Sequence, residues 1–175
     1  GHASVSWLLQ YANPLVKVTI VPRGQALGAA WYLPEERSIS TKEQMLDEIC
    51  SLLGGRAAED VFLGHISSGA LNDLERVTKR IYGMVAYLGM SESLSNLCYY
   101  DAQGNYNFSK PYSDKTAELI DAEVKRMVAE QYERAKKLLT DHAKQHNALA
   151  DLLVEREVIF TEDVERIFGP RPWKS

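Results

Sequence analysis

The stretch from Ser40 to Gly64, STKEQMLDEICSLLGGRAAEDVFLG, decides the fold class. Within it Met45, Ile49, Leu52, Leu53, Ala57, Val61 and Phe62 recur at steps of three and four, which lines one apolar face of an α-helix. Ser40 with Glu43 three residues on reads as a capping box and Gly64 as the stop, so the spacing predicts one long helix. Gly54-Gly55 in its interior is out of place, because each Gly costs about 1 kcal/mol against Ala in a helix. Something must need the missing side chains, most simply another backbone passing close by. The pair is not a phosphate-binding loop, since no strand followed by Gly-x-x-x-x-Gly-Lys-Ser/Thr occurs anywhere in the chain; ATP chemistry is not expected from this segment.

Beyond Gly64, His65 to Leu71 reads as a loop. Leu74, Val77, Ile81, Met84, Val85 and Leu88 then predict a helix running to Gly89, with Asp73 in its first turn. Residues 90 to 112 show no period and are expected as a loop, with room for a piece of strand. Ser113-Asp114 caps a long amphipathic helix carrying Ile120, Val124, Met127, Val128, Ala135, Leu138 and Leu139. Two shorter helices follow, one around Leu149, Leu152 and Leu153, the other capped by Thr161 and ended by Gly169-Pro170. Before Ser40, the β-branched run Val16 to Val21 closes at Pro22-Arg23-Gly24, and Leu27 to Leu33 is a second strand candidate. Trp7, Leu8 and Tyr11 place residues 2 to 12 in a helix that Asn13-Pro14 stops. It has no cap and no initiator Met in front of it, so the chain reads as a segment of a longer protein. The expected fold is mainly α, a helical bundle-like domain over residues 1–175 with a small β-hairpin or meander near the amino end.

With 45% hydrophobic and 25% charged residues the chain has the balance of an ordinary globular domain. Its 20 Lys plus Arg against 24 Asp plus Glu leave a net charge of −4 and no basic block, which argues against a nucleic-acid partner. Cys50 and Cys98 stand in no metal or redox spacing, and a reducing compartment is expected. No run of about eighteen apolar residues exists, so this segment is not expected to insert into a membrane.

Gly1-His2 is what remains of a His-Glu-x-x-His motif in a chain that starts after its first three residues. Alone, a terminal His is more often a tag remnant or a solvated side chain. Several later segments change that reading. Gly1-His2-Ala3, Ile20-Val21-Pro22-Arg23-Gly24 with Ala26-Leu27-Gly28 and Leu33-Pro34-Glu35-Glu36, Leu53-Gly54-Gly55-Arg56-Ala57-Ala58-Glu59, and Ser68-Gly69-Ala70-Leu71-Asn72-Asp73-Leu74-Glu75-Arg76-Val77-Thr78 with Leu88-Gly89-Met90-Ser91 occur in order. Together they resemble the peptidase domain of the FtsH family, the membrane-anchored, ATP-dependent zinc metalloproteases of the AAA class, from Gly1 to about Phe168.

The resemblance implies a zinc endopeptidase that hydrolyses membrane and misfolded soluble proteins through a metal-activated water. Such chemistry needs two His four apart on one helix face, and a Glu beside the first to take a proton. His2 matches the second His, and Asp73 matches the acidic third ligand. An Asp in a first helical turn is favoured by the helix dipole, and merely complementing that helix end is its alternative role. The first His and the catalytic Glu are expected before Gly1, which implies weak or absent zinc and no activity for these residues on their own. The family further implies polypeptide substrates, a homohexamer, an upstream AAA ATPase domain using ATP and Mg²⁺, and a bacterial inner-membrane protein with this domain in the cytoplasm. The alternative is a catalytically silent helical module for oligomerisation or adaptor binding.

Other residues carry weaker signals. His142 and His146 are four apart but lack the Glu, and their neighbours Lys144 and Gln145 suggest a solvated face. His65 is expected as loop surface or cleft lining, and Glu59 as a partner of a ligand His or a surface charge. Gly28, Ala29, Ala30 and Trp31 are candidates for a strand edge on which an extended substrate pairs through its main chain, with packing of the small sheet as the alternative.

Overall fold

The computed structural model describes residues 1–20, 29–33, 39–99 and 111–173. In chain order they form α1 (His2–Trp7), β1 (Leu15–Thr19), β2 (Ala29–Tyr32), α2 (Lys42–Leu52) and α3 (Gly54–Ala58). A π-helical turn (Glu59–Leu63) and a 3₁₀ turn (Ser68–Ala70) lead into α4 (Leu71–Ala86), and α5 (Asp114–Asp141), α6 (Ala143–Arg156), β3 (Val158–Phe160) and α7 (Thr161–Phe168) follow. The architecture is mainly α with a small antiparallel sheet, as the periodicity predicts. The expected strand ends at Val21, Leu27 and Gly28, the Pro22-Arg23-Gly24 turn and Pro34-Glu35-Glu36 lie outside the described residues.

The stretch from Ser40 to Gly64 is not one helix. Leu53 relaxes to ψ −6° between α2 and α3, and the π turn follows before Gly64 closes the run at φ 73°. Apolar spacing survives because one altered ψ barely displaces the buried face, so periodicity cannot detect the break. The capping box lies one residue later than expected: Gln44 N–H donates to Thr41 Oγ1 at 3.1 Å and Thr41 N–H to Gln44 Oε1 at 2.9 Å. α1 also stops early, at Trp7 rather than residue 12, because Leu9 N–H turns to Ser6 O and Tyr11 N–H is taken by the buried Asp47 carboxylate at 2.9 Å. Thr161 is the first residue of α7, not its cap. Its hydroxyl donates to Leu15 O at 2.5 Å, and Asp163 takes the Phe160 N–H instead.

β3 has no forecast in the sequence, being three residues long between two helices. It pairs with β1, giving the order β2-β1-β3 with Val18 opposite both Ala30 and Ile159. Among the described residues β2 is therefore an edge strand.

Burial explains the assembly. Ile49, Val77, Ile81, Met84 and Ile120 fuse α2, α4 and α5 into one cluster. The far half of α5 packs Ala135 and Leu139 on Val5, Leu9 and Ala57. Trp7 and Ala3 on the opposite side of α1 meet Leu15, Leu149, Ile159 and Val164 between the sheet and the last helices. α1 is thus a short central strut with no solvent face after its first residue, which fixes where His2 can go. Arg134 of α5 adds a 2.8 Å ion pair to buried Asp47 of α2. Of the two cysteines, Cys50 is buried and Cys98 exposed.

Candidate metal centre

The start of α1 lies against the glycines of α3. A Cβ on Gly54 would stand 2.8 Å from Gly1 O and 3.0 Å from its carbonyl carbon, and one on Gly55 would stand 2.8 Å from His2 Cε1. The close approach inferred from the sequence is therefore to a backbone at Gly54 and to an imidazole at Gly55. Seated there, the His2 ring meets the first turn of α4, with Nε2 at 2.9 Å from Asp73 Oδ2. The two residues are 71 apart in sequence. Their side chains keep 36% and 24% of their exposure, so a ligand can reach both.

What steers Asp73 is the segment before α4. Glu59, in the π turn, accepts the Ser67 N–H at 2.6 Å and the Ser67 hydroxyl at 2.9 Å, while Arg56 donates to Ser67 O at 3.1 Å. Ser67 Oγ in turn accepts the Gly69 N–H at 3.2 Å, fixing the 3₁₀ turn from which α4 starts. Glu59 makes these bonds to Ser67 in an exposed setting, and neither of them goes to His2. π turns often mark functional positions, but nothing in the sequence flags this one.

On the other side of His2, Ser6 Oγ donates to the His2 carbonyl at 2.6 Å, lies 3.1 Å from the Tyr32 hydroxyl and contacts Ser51 Oγ. Burial raises the Tyr32 phenol above its ordinary value, so it stays protonated. This hydroxyl cluster ties α1, β2 and α2 together below the site; no sequence pattern announces it.

The donor set suits zinc. An imidazole nitrogen and a carboxylate oxygen are among its usual ligands, and tetrahedral ligands at ~2.1 Å from the metal stand roughly 3.4 Å apart. The pair at 2.9 Å needs only a slight opening, with a cation replacing the bridging proton. Among the described residues no group of three or more His, Cys, Asp or Glu forms a metal site, so the pair is two ligands and not three.

A cavity of about 260 Å³ opens beside His2 and is lined by Ala29, Ala30, Val18, Leu149 and His146. Ala29 and Ala30 thus lie on the edge strand next to the centre; Gly28 is outside the described residues. Trp31 carries Lys17 over its ring at 4.6 Å. His146 is not on a solvated face. Its Nδ1 is 2.8 Å from Ser4 Oγ, its ring stacks on Phe62 at 4.5 Å, and burial pulls its pKa down to about 4, so it is neutral. His142 is the junction between α5 and α6 and bonds Leu138 O at 2.9 Å, so the two histidines do not converge. His65 is exposed loop, lining a groove between α4 and α5.

The structure thus sets a helix-borne imidazole against a carboxylate on a second helix, beside a strand that is at the sheet's edge among the described residues. The sequence matches the profile of peptidase family M41 over residues 1–167, and the chain belongs to that family. It is 63% identical to the ATP-dependent zinc metalloprotease FtsH of Parabacteroides distasonis, with 100% of this chain and 26% of that protein covered. The ATP-dependent zinc metalloprotease FTSH 3, mitochondrial, of Arabidopsis thaliana is 51% identical over 100% of this chain and 22% of its own length. The mitochondrial inner membrane m-AAA protease component AFG3L1 of Mus musculus is 44% identical over 99% and 22%. The chain spans about a quarter of the length of these relatives. No described helix is long and apolar enough to cross a membrane.

Proposed function

We propose that this chain is the zinc-peptidase domain of a membrane-anchored, ATP-dependent protease, with His2 Nε2 and Asp73 Oδ2 as two of the zinc ligands. The observation that carries the reading is their 2.9 Å contact across 71 residues, at the two positions where the family places ligands. When bound, zinc supplies Lewis-acid activation of water and of the scissile carbonyl. This chain's own residues supply the rest. Gly54 and Gly55 let α1 approach closely enough for His2 to reach Asp73, and Ser67 with Glu59 sets the direction from which Asp73 arrives. The edge of β2 that has no partner among the described residues, at Ala29 to Trp31, holds an extended substrate by main-chain hydrogen bonds, which suits unfolded polypeptides of many sequences.

The first His of the motif and the Glu that takes the proton are assigned to residues preceding Gly1. Hydrolysis then belongs to the longer protein, as do the AAA ATPase domain with its ATP and Mg²⁺, the homohexamer and the bacterial inner-membrane location, while the 175 residues alone bind zinc weakly and are inactive.

Zinc content, by elemental analysis, tests this. The chain and the same chain extended by its parent's preceding residues are compared, each with and without Asp73→Ala. About one zinc per subunit in the extended chain alone, lost on Asp73→Ala, is expected. No zinc in the extended chain overturns the assignment and favours a silent helical module.

A further inference from the structure

A second pocket, of about 400 Å³, opens on the α4 side of β2 and is lined by Ser6, Ala30, Tyr32, Glu48, Ser51 and Arg76 among others. The helices that carry His2 and Asp73 also supply part of its lining. Ser6 is one turn beyond His2 on α1, and Arg76 is three residues beyond Asp73 on α4. A helical turn advances about 5.4 Å and an extended chain about 3.3 Å per residue, so a peptide on the β2 edge would reach this pocket roughly two residues from the metal pair.

Charge makes the pocket selective. Glu48, the acid in the lining, is paired with Arg80, and Asp73 is engaged with His2. Arg76 is exposed and has neither ion pair nor hydrogen bond among the described residues. Arg76 lines the pocket with the hydroxyls of Ser6, Ser51 and Tyr32 and with Glu48, whose carboxylate is already held by Arg80. An unmatched fork of N–H donors beside hydroxyls is a site for a carboxylate, which it can bind in bidentate fashion.

We infer that this pocket is a side-chain subsite of the substrate groove that takes an acidic residue, with Arg76 as its anion partner. The inference rests on the reading of the β2 edge as the peptide groove. It makes Arg76 a specificity residue rather than a catalytic one, and it gives the groove a preference that main-chain pairing cannot supply.

The test needs no zinc. An acetylated, amidated heptapeptide of alternating Val and Ser with Glu at its centre, and its Gln twin, are titrated into ¹⁵N-labelled chain and into Arg76→Gln and Arg76→Glu. Both variants change an exposed side chain and are checked for unaltered melting. In the parent chain the Glu peptide should bind about fivefold tighter than the Gln peptide, as expected for a solvent-accessible ion pair. The preference should vanish in Arg76→Gln, and Arg76→Glu should favour a Lys-centred peptide. Equal binding of the Glu and Gln peptides to the parent chain, with the β2 amides shifting, overturns the subsite alone, as does a preference that survives Arg76→Gln. If no peptide shifts the β2 amides, the groove reading falls and the subsite with it.

Discussion

Substituting Ala at two helical glycines should move stability in opposite directions, although helix propensity alone makes both changes favourable. At Gly83, within α4, a new Cβ meets only Tyr87 Cδ2 at 3.6 Å, an ordinary contact. Gly83→Ala should therefore keep most of the gain of up to about 1 kcal/mol that Ala brings to a helix. At Gly54 the new Cβ stands 2.8 Å from Gly1 O, 3.0 Å from the Gly1 carbonyl carbon and 3.2 Å from His2 Cα, all of them backbone. No side-chain rotation relieves that clash. Overpacking of this kind costs about 1–3 kcal/mol, which exceeds the propensity gain, so Gly54→Ala should lose about 1–2 kcal/mol net. For a chain of this size 1 kcal/mol moves Tm by about 2–4 °C. Thermal unfolding followed by circular dichroism should thus show Gly83→Ala melting a few degrees higher than the parent and Gly54→Ala melting about 2–8 °C lower. If Gly54→Ala melts at or above the parent, α1 does not need the contact with α3, and the account of how His2 reaches Asp73 is wrong.

Two further outcomes follow from side chains outside the centre. Burial holds His146 neutral, with a folded pKa of about 4 against an unfolded value near 6.5, so the unfolded chain takes up the extra proton between these values. Stability should be whole above about pH 6.5 and fall as the pH drops toward 4, and the His146 imidazole should show no NMR titration midpoint between pH 5.5 and 7.5. Asp163 caps α7 through Phe160 N–H at 3.0 Å and takes Arg156 and Arg166 at 2.9 and 3.0 Å, so Asp163→Ala should cost about 1–2 kcal/mol at neutral pH. The Phe160 amide, helped by the two arginines, holds this carboxyl below its ordinary range; the gap between parent and variant, read by urea unfolding, should be whole above about pH 4 and shrink as the pH falls further.

How much of this was legible in the sequence depends on the distance over which each feature is decided. Steps of three and four in apolar residues report a helix face directly, and they placed Val77, Ile81 and Met84 of α4 in the core and Asp73 at its start. The Gly54-Gly55 anomaly also carried real information, because a helix tolerates two glycines only where a neighbour demands them. The identity of that neighbour, the start of α1, lies some fifty residues away and leaves no local trace. The His2–Asp73 pair is of the same kind: residue chemistry made each a candidate, and only the family motifs joined them before the geometry did. β3 and the break at Leu53 escaped because three residues and one dihedral are below what a period can resolve.

His146 is the instructive error. Its polar neighbours Lys144 and Gln145 suggested a solvated face, yet on a helix they point about 200° and 100° away from it and say nothing about its surroundings. The residues that share its face are three and four away: His142, Ala143, Leu149 and Ala150, three of them apolar and Leu149 buried. Polarity weighed by face rather than by adjacency turns the imidazole toward the apolar side of α6. It does so with no knowledge of Phe62 or Ser4, the distant partners that keep the ring neutral.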